Sequence, residues 1–327
     1  MTIAQILAGF QKLSALVFGD ICLDRWCTYD PAAADASRET QIPRIGVVRT
    51  EVTAGAGGTV ANNLAALGVG RLGVLSVVGD DGFGYELVAA LRGAGVPPDM
   101  LIRAKGMQTF TYTKLINLYT GIEDKPRVDC ISTTPLNPDI ECRLLERLPG
   151  AVGQFDVILI SDQAETSAGG VVTPAIREKL ASLAVTHPEK IFLVDSRARI
   201  ELFRHMIIKP NREEAESACH RVFNGCNFQA LREYCKAKFL IVTDGPNGAR
   251  VIEPNQETFC ETKPISRPRD ICGAGDSFAA GAAMALAVTG SPVAAVRFGN
   301  LVASVTIMKP GTGNASSAEV QAAAAQS

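Results

Sequence analysis

The chain has 327 residues, 47% of them hydrophobic, and a formal net charge of −2. So many apolar residues can build a large core, while near-neutral charge without a run of five like charges excludes a nucleic-acid stripe or a basic membrane face. Nine cysteines with no C-x-x-C pair and only three histidines argue against a zinc site and for reduced thiols in the cytoplasm.

Residues 1–10 lack the basic start and long apolar run of a signal peptide. Residues 13–18 form an apolar run ending at Gly19-Asp20, the first expected buried strand. The segments 72–78, 157–160, 191–194 and 239–243 read the same way, each closing on a small or acidic residue. Helical patterns at 60–67, 85–93, 138–148, 173–185 and 212–220 alternate with them, the order expected of parallel βαβ units. Two segments break the alternation. Residues 22–53 are polar and end in an extended pattern at 45–52, and 110–131 read as strand, turn at Thr120-Gly121, and strand. Together they are expected to form a small accessory sheet, a lid over the active edge of the main sheet. Two long apolar helices follow at 274–288 and 292–308; the first carries two glycines and falls short of the roughly 18 residues that span a bilayer. Residues 314–327 are rich in Ala, Ser and Gln and are expected to fray.

The sharpest chemical signal is Asp270-Ile-Cys-Gly273-Ala274-Gly275-Asp276 leading into the first of those helices. Small residues there let backbone N–H groups crowd at a helix N-terminus, where unpaired donors and the helix dipole attract an anion. Asp276 in the first turn can take a proton from an incoming hydroxyl while the amides hold a phosphoryl group. A glycine loop capped by an aspartate is the plainer structural reading.

This segment resembles the C-terminal signature of the ribokinase, or PfkB-type, carbohydrate kinases, with Cys272 where many members have Thr. The resemblance runs from about residue 13 to 313. It implies a three-layer α/β/α sandwich with a mostly parallel central sheet and a small β-sheet lid. Residues 1–327 would be one kinase domain, with lid strands from 22–54 and 110–131 inserted in it. Asp276 would be the catalytic base, and Gly273, Ala274 and Gly275 the anion hole. Gly19-Asp-Ile-Cys-Leu-Asp24 resembles the family's G-x-x-x-x-D, which gives Asp24 the sugar hydroxyls. Gly55-Ala56-Gly-Gly-Thr59 resembles the N-terminal signature, with Thr59 where an Asn usually contacts substrate, so Gly55, Ala56 and Thr59 are implied at the sugar. Asn211-Arg-Glu-Glu214 resembles the N-x-x-E element, in which Glu214 organises hydrated magnesium; the same spacing is a capping box. Thr243, Gly245 and Gly248 resemble the nucleotide loop, and Asn300 falls at the adenine pocket. Asp270 and Gly311 match positions where several members bind a monovalent cation such as K⁺. No G-x-x-x-x-G-K-[ST] loop is present, so the Gly273–Gly275 turn must hold the phosphates of ATP.

Within the family the chain is most similar to the bacterial heptose 7-phosphate kinases. The shared stretches are Gly19-Asp20 through Arg25-Trp26, then 37–43, and Thr113-Lys114 with Arg127-Val-Asp129. Lys114, Arg127 and Arg25 would then meet a phosphate already on the substrate, or else be ordinary lid-surface charges. Asp162-Gln-Ala-Glu165 departs from the D-Y-x-K-G of those kinases. No nucleotidyltransferase domain is expected after the kinase domain at this length. An adenosine-type nucleoside kinase and a non-catalytic sugar or nucleotide sensor are the alternatives. Partners are expected to be small molecules, not nucleic acid or membrane. Ile45, Val47, Val52, Tyr112 and Leu118 could pair two lids in a homodimer, or equally cover the substrate within one subunit.

Overall fold

The computed structural model describes residues 1–263 and 265–326. The chain opens with α1 (Ile3–Phe10), β1 (Ser14–Gly19), β2 (Ile21–Tyr29), β3 (Val47–Ala56) and α2 (Gly57–Ala66). Next come β4 (Arg71–Leu75), β5 (Val77–Gly79), α3 (Gly82–Gly93), β6 (Ile102–Ala104) and β7 (Thr111–Asn117). The middle of the chain supplies α4 (Pro138–Gly153), β8 (Val157–Asp162), α5 (Pro174–Thr186), β9 (Ile191–Ser196) and β10 (Ile207–Ile208). After α6 (Arg212–Val222) and α7 (Phe228–Tyr234) come β11 (Leu240–Thr243), β12 (Ala249–Glu253) and β13 (Gln256–Cys260). Helices α8 (Ala274–Thr289), α9 (Pro292–Thr306) and α10 (Ser317–Ala325) complete it.

Eight strands form the main sheet in the order β13-β12-β11-β10-β9-β8-β1-β4, parallel from β4 to β11 and antiparallel over the last two pairings. Its central strands are apolar throughout because both faces are covered. Along β1, Ala15 and Val17 pack with α1, α2, α3, α8, α9 and α10, whereas Leu16 and Phe18 pack with α4, α5, α6 and α7. That two-residue alternation divides the core into one layer on each side of the sheet. The fold is therefore an α/β/α sandwich.

A three-stranded sheet, β3-β2-β7, stands at the carboxyl end of β1, joined to it through Gly19-Asp20. Both early and mid-chain extended segments thus contribute, as expected. The second half of the 110–131 segment returns only through bridges from Cys130 to Thr111 and from Glu123 to Ile116, not as a full strand. Residues 72–78 divide into β4 and β5, which belong to different sheets, because Ser76 leaves the ladder to donate to the Gly19 carbonyl at 2.5 Å. Residues 314–326 do not fray. Ser316 and Glu319 cap α10 reciprocally, and Ala315 and Val320 are buried against the core; Ser327 lies outside the described residues. No helix among the described residues is long and apolar enough to cross a membrane.

Candidate active site

The parallel strands deliver charged side chains to one edge, where ligands of open α/β sheets bind. Asp195 is the penultimate residue of β9 and Lys209 follows β10. Their side chains pair at 2.8 Å and are 14% and 3% exposed. At the end of β8, Asp162 is buried and held by Arg199 at 2.7 Å and by Ser196. Arg199 also donates to the carbonyls of Ser167 and Gly169, which fixes the loop that follows β8.

Over this edge sits the start of α8. Gly273 caps it with φ +76°, the left-handed region where glycine is least strained, and among the described residues no side-chain cap reaches the first-turn N–H groups. Asp270 braces the turn from below: Cys272 N–H donates to its Oδ1 at 2.9 Å and Gly311 N–H to its Oδ2 at 3.1 Å. Asp276, in the first turn, is half-buried. Its carboxyl is pushed up to about 8, first by burial and then by the charge of Asp195, with Asp24 adding to the rise and Lys209 and Arg197 opposing it.

A cavity of about 170 Å³ opens between this turn and the lid. Asp24, Arg25 and Trp26 from β2, Tyr112 and Lys114 from β7, and Arg127 form its lid wall. Ala56 enters from the end of β3 and Thr59 from the first turn of α2, Gln163 and Arg197 from the sheet edge, and Cys272, Gly273, Asp276 and Thr312 from the turns. β2 and β7 run parallel with Asp24 opposite Tyr112 and Trp26 opposite Lys114, so the two-residue period brings these four to one side. Tyr112 is therefore a cavity residue rather than part of an outer lid face, whereas Ile45, Val47, Val52 and Leu118 are exposed. Asp24 is buried, and burial is the main cause that pushes its carboxyl up to about 6, against a Cys22 thiol hydrogen bond and the charges of Lys114 and Arg127.

The cavity thus gathers Asp24, Ala56, Thr59, Lys114, Arg127, Gly273 and Asp276. Gly55 is not in its lining. A Cβ there would lie 2.4 Å from Asp24 Oδ1, so this glycine makes room for the carboxylate. Thr59 is fully buried and its hydroxyl donates to the Ala54 carbonyl at 3.3 Å, so its polar group is engaged with backbone. Ala274 and Gly275 lie in the first turn beyond the cavity wall, where a Cβ on Gly275 would come 3.8 Å from Lys209 Nζ.

The expected nucleotide residues are distributed over two further hollows. Asn211, Thr243 and Gly245 line an open one of about 350 Å³, and Gly248 lies outside it, packed against β13. Asn300 lines a hollow of about 820 Å³ between α9, α10 and residues 261–263, with its Nδ2 buried and without a hydrogen-bond partner among the described residues. Asn211 and Glu214 do form the capping box, at 2.9 and 2.8 Å. Burial and the charge of Asp195 raise the Glu214 carboxyl, and Lys209 opposes them. Gly311 lies against the Trp26 ring.

Sequence reasoning passed over Lys209, Asp195, Arg197 and Gln163. Lys209 was visible as the residue before Pro210-Asn211, and Asp195 as the acid closing a strand. Nothing local marks Arg197, which reaches the site only through the sheet topology.

A helix start whose first-turn N–H groups lack side-chain caps, a half-buried carboxylate beside it and a cavity under a small sheet together make an anion-ready pocket at the edge of a parallel α/β sheet. Comparison with known proteins gives the family. Residues 14–319 match the model of the pfkB family carbohydrate kinases, and the chain belongs to that family. It is 29% identical to the bifunctional protein HldE of Pelobacter propionicus over 98% of its own length, and 31% identical to that of a Caulobacter species over 95%. The chain spans 64% and 62% of those relatives. Among solved structures it resembles the ribokinase of Thermotoga maritima, with TM-score 0.70, 18% identity, and 95% and 99% of the two chains covered. A phosphofructokinase-2 of Escherichia coli, solved with potassium, gives TM-score 0.70 at 20% identity over 96% and 99%. These neighbours share the ribokinase-like fold.

Proposed function

We propose that this kinase transfers the γ-phosphate of ATP to a hydroxyl of a sugar that already carries a phosphate, a heptose 7-phosphate. The observation that carries this reading is the cavity wall. Arg25, Lys114 and Arg127 line the lid side of a space of about 170 Å³ that also holds Asp276. Three cations on that wall suit an anionic acceptor and are poorly used by a neutral nucleoside. The likeness to HldE proteins points the same way.

In the step, Asp24 accepts from sugar hydroxyls and fixes the ring, while the acceptor hydroxyl meets Asp276. Its oxygen bonds the γ-phosphorus as the bond to the bridging oxygen breaks, the electron pair leaves with ADP, and the proton passes to Asp276. The Gly273–Gly275 amides receive the charge of the group in flight. Among the described residues no group of three His, Cys, Asp or Glu is set to hold a metal by itself. Glu214 and Asp195 instead fit an ion carried mainly by phosphate oxygens and water, Mg²⁺, which supplies charge neutralisation when bound. Asn211, Thr243, Gly245 and Gly248 are assigned to the phosphates and ribose of ATP, and Asn300 to the adenine. Asp270 and the Gly311 turn are assigned to K⁺, the carboxylate oxygens keeping a second lone pair each.

Residues 1–327 are read as one kinase domain with an inserted lid. The exposed Ile45, Val47, Val52 and Leu118 are proposed to pair two lids in a homodimer. Nine unpaired cysteines favour the cytoplasm. An ADP-release assay with heptose 7-phosphate, fructose 6-phosphate, ribose and adenosine tests the reading. Turnover confined to the sugar phosphates is expected, and a preference for adenosine would overturn it.

A further inference from the structure

Arg197 directly follows β9, two residues after Asp195. Its guanidinium is paired with Glu165, and the lid residue Tyr112 donates to the same oxygen, Glu165 Oε1, at 3.1 Å. The Tyr112 ring centroid is 6.0 Å from the Arg197 guanidinium and 5.1 Å from that of Arg127. Arg197, Glu165 and Tyr112 thus form a polar latch between the sheet edge and the lid. Arg197 and Tyr112 also line the cavity that contains Asp276. That cavity, about 170 Å³, is smaller than the few hundred Å³ usual for ligand pockets. An acceptor that fills it while touching Asp276 has Arg197 for a neighbour.

Two cations oppose the rise of the Asp276 carboxyl, Lys209 and Arg197. Lys209 is buried and committed to Asp195 at 2.8 Å. Arg197 keeps 48% of its side chain exposed, and it feels the charges of Glu214 and Asp276 as well as those of its latch partners. It is the cation beside the base that can still donate to a ligand.

Building on the kinase reading above, we propose that Arg197 is a catalytic residue that contacts the phosphoryl group in flight, positioned for it by Glu165 and Tyr112. As the acceptor oxygen bonds phosphorus and the electron pair departs with ADP, charge spreads over the three remaining oxygens. A planar guanidinium can donate two N–H groups to them. Because Tyr112 belongs to the lid, closing the cavity and fixing Arg197 are one event.

Steady-state kinetics with ATP, Mg²⁺ and heptose 7-phosphate test this. Arg197→Gln should lower kcat about 100-fold or more while the acceptor KM stays within about threefold. Arg197→Lys, which keeps the charge, should recover part of the loss, and Tyr112→Phe should cost about tenfold in kcat. The acid limb of kcat/KM should move to higher pH in Arg197→Gln, because a cation that favours the charged Asp276 is gone, a change that a merely structural contact would not produce. A raised KM with intact kcat would make Arg197 an acceptor-binding residue and overturn the inference, as would kinetics like those of the wild type. A wild-type enzyme silent with every sugar phosphate would instead bring down the reading on which it rests.

Discussion

Lys209 is the deepest cation of the site, and removing it should damage stability and catalysis together. Lys209→Met keeps the length of the side chain but leaves Asp195 without its 2.8 Å partner. That carboxylate is 14% exposed and lies beside Glu214 and Asp276, whose carboxyls its charge already raises. Breaking a buried pair from one side costs about 3–5 kcal/mol. Unfolding entropy for 327 residues is about 0.7 kcal/mol/K, so Tm should fall by about 4–7 °C. Adding Asp195→Asn should restore most of that loss, since no uncompensated charge remains. The catalytic effect has a definite sign. The Asp276 carboxyl stands at about 8 with Lys209 already opposing its rise, so loss of Lys209 pushes it higher and leaves less of the base ionised at pH 7. The kcat/KM of Lys209→Met should therefore drop more at pH 7 than at pH 9. Thermal unfolding and pH–rate profiles of the single and double variants read both effects. A single variant as stable as the wild type, or a double variant less stable than the single, would refute the assignment of a buried, mutually dependent pair.

Gly55→Ala would place a Cβ 2.4 Å from Asp24 Oδ1. Overlap of that size costs about 1–3 kcal/mol and displaces the carboxylate, so acceptor KM should rise while ATP KM holds; unchanged acceptor KM would show that Asp24 does not grip the sugar. Asp276→Asn should stabilise the fold at pH 8 more than at pH 5. A carboxyl raised from 3.8 to about 8 in the folded chain binds its proton more tightly folded than unfolded, so stability is lost as pH rises between those values. Equal Tm differences at the two pH values would contradict the raised carboxyl.

The alternation of strands and helices was legible because its signals are local, whereas the sandwich followed from the family resemblance. Buried parallel strands read as unbroken apolar runs, and helices announced themselves through caps such as Asn211 with Glu214. The split of β4 from β5 was hidden, since residues 72–78 are apolar on both sides of Ser76 and only the Gly19 carbonyl decides where the ladder stops. The α10 helix looked like a polar, alanine-rich tail; burial of Val320 supplied what composition did not show. Asp276, Asp24 and the Gly273 turn were visible from the signature residues. Lys209, Asp195 and Arg197 meet them only because β9 and β10 lie next to each other in the sheet.

The most direct measurement is ADP release from ATP and Mg²⁺ with heptose 7-phosphate, comparing the wild type with Asp276→Asn alongside ATP binding by both. Turnover in the wild type, a loss of about 10²–10⁴-fold in the variant and equal ATP affinity are the predicted result. Wild-type turnover matched by Asp276→Asn would contradict the role of Asp276 as the base that the whole site is built around.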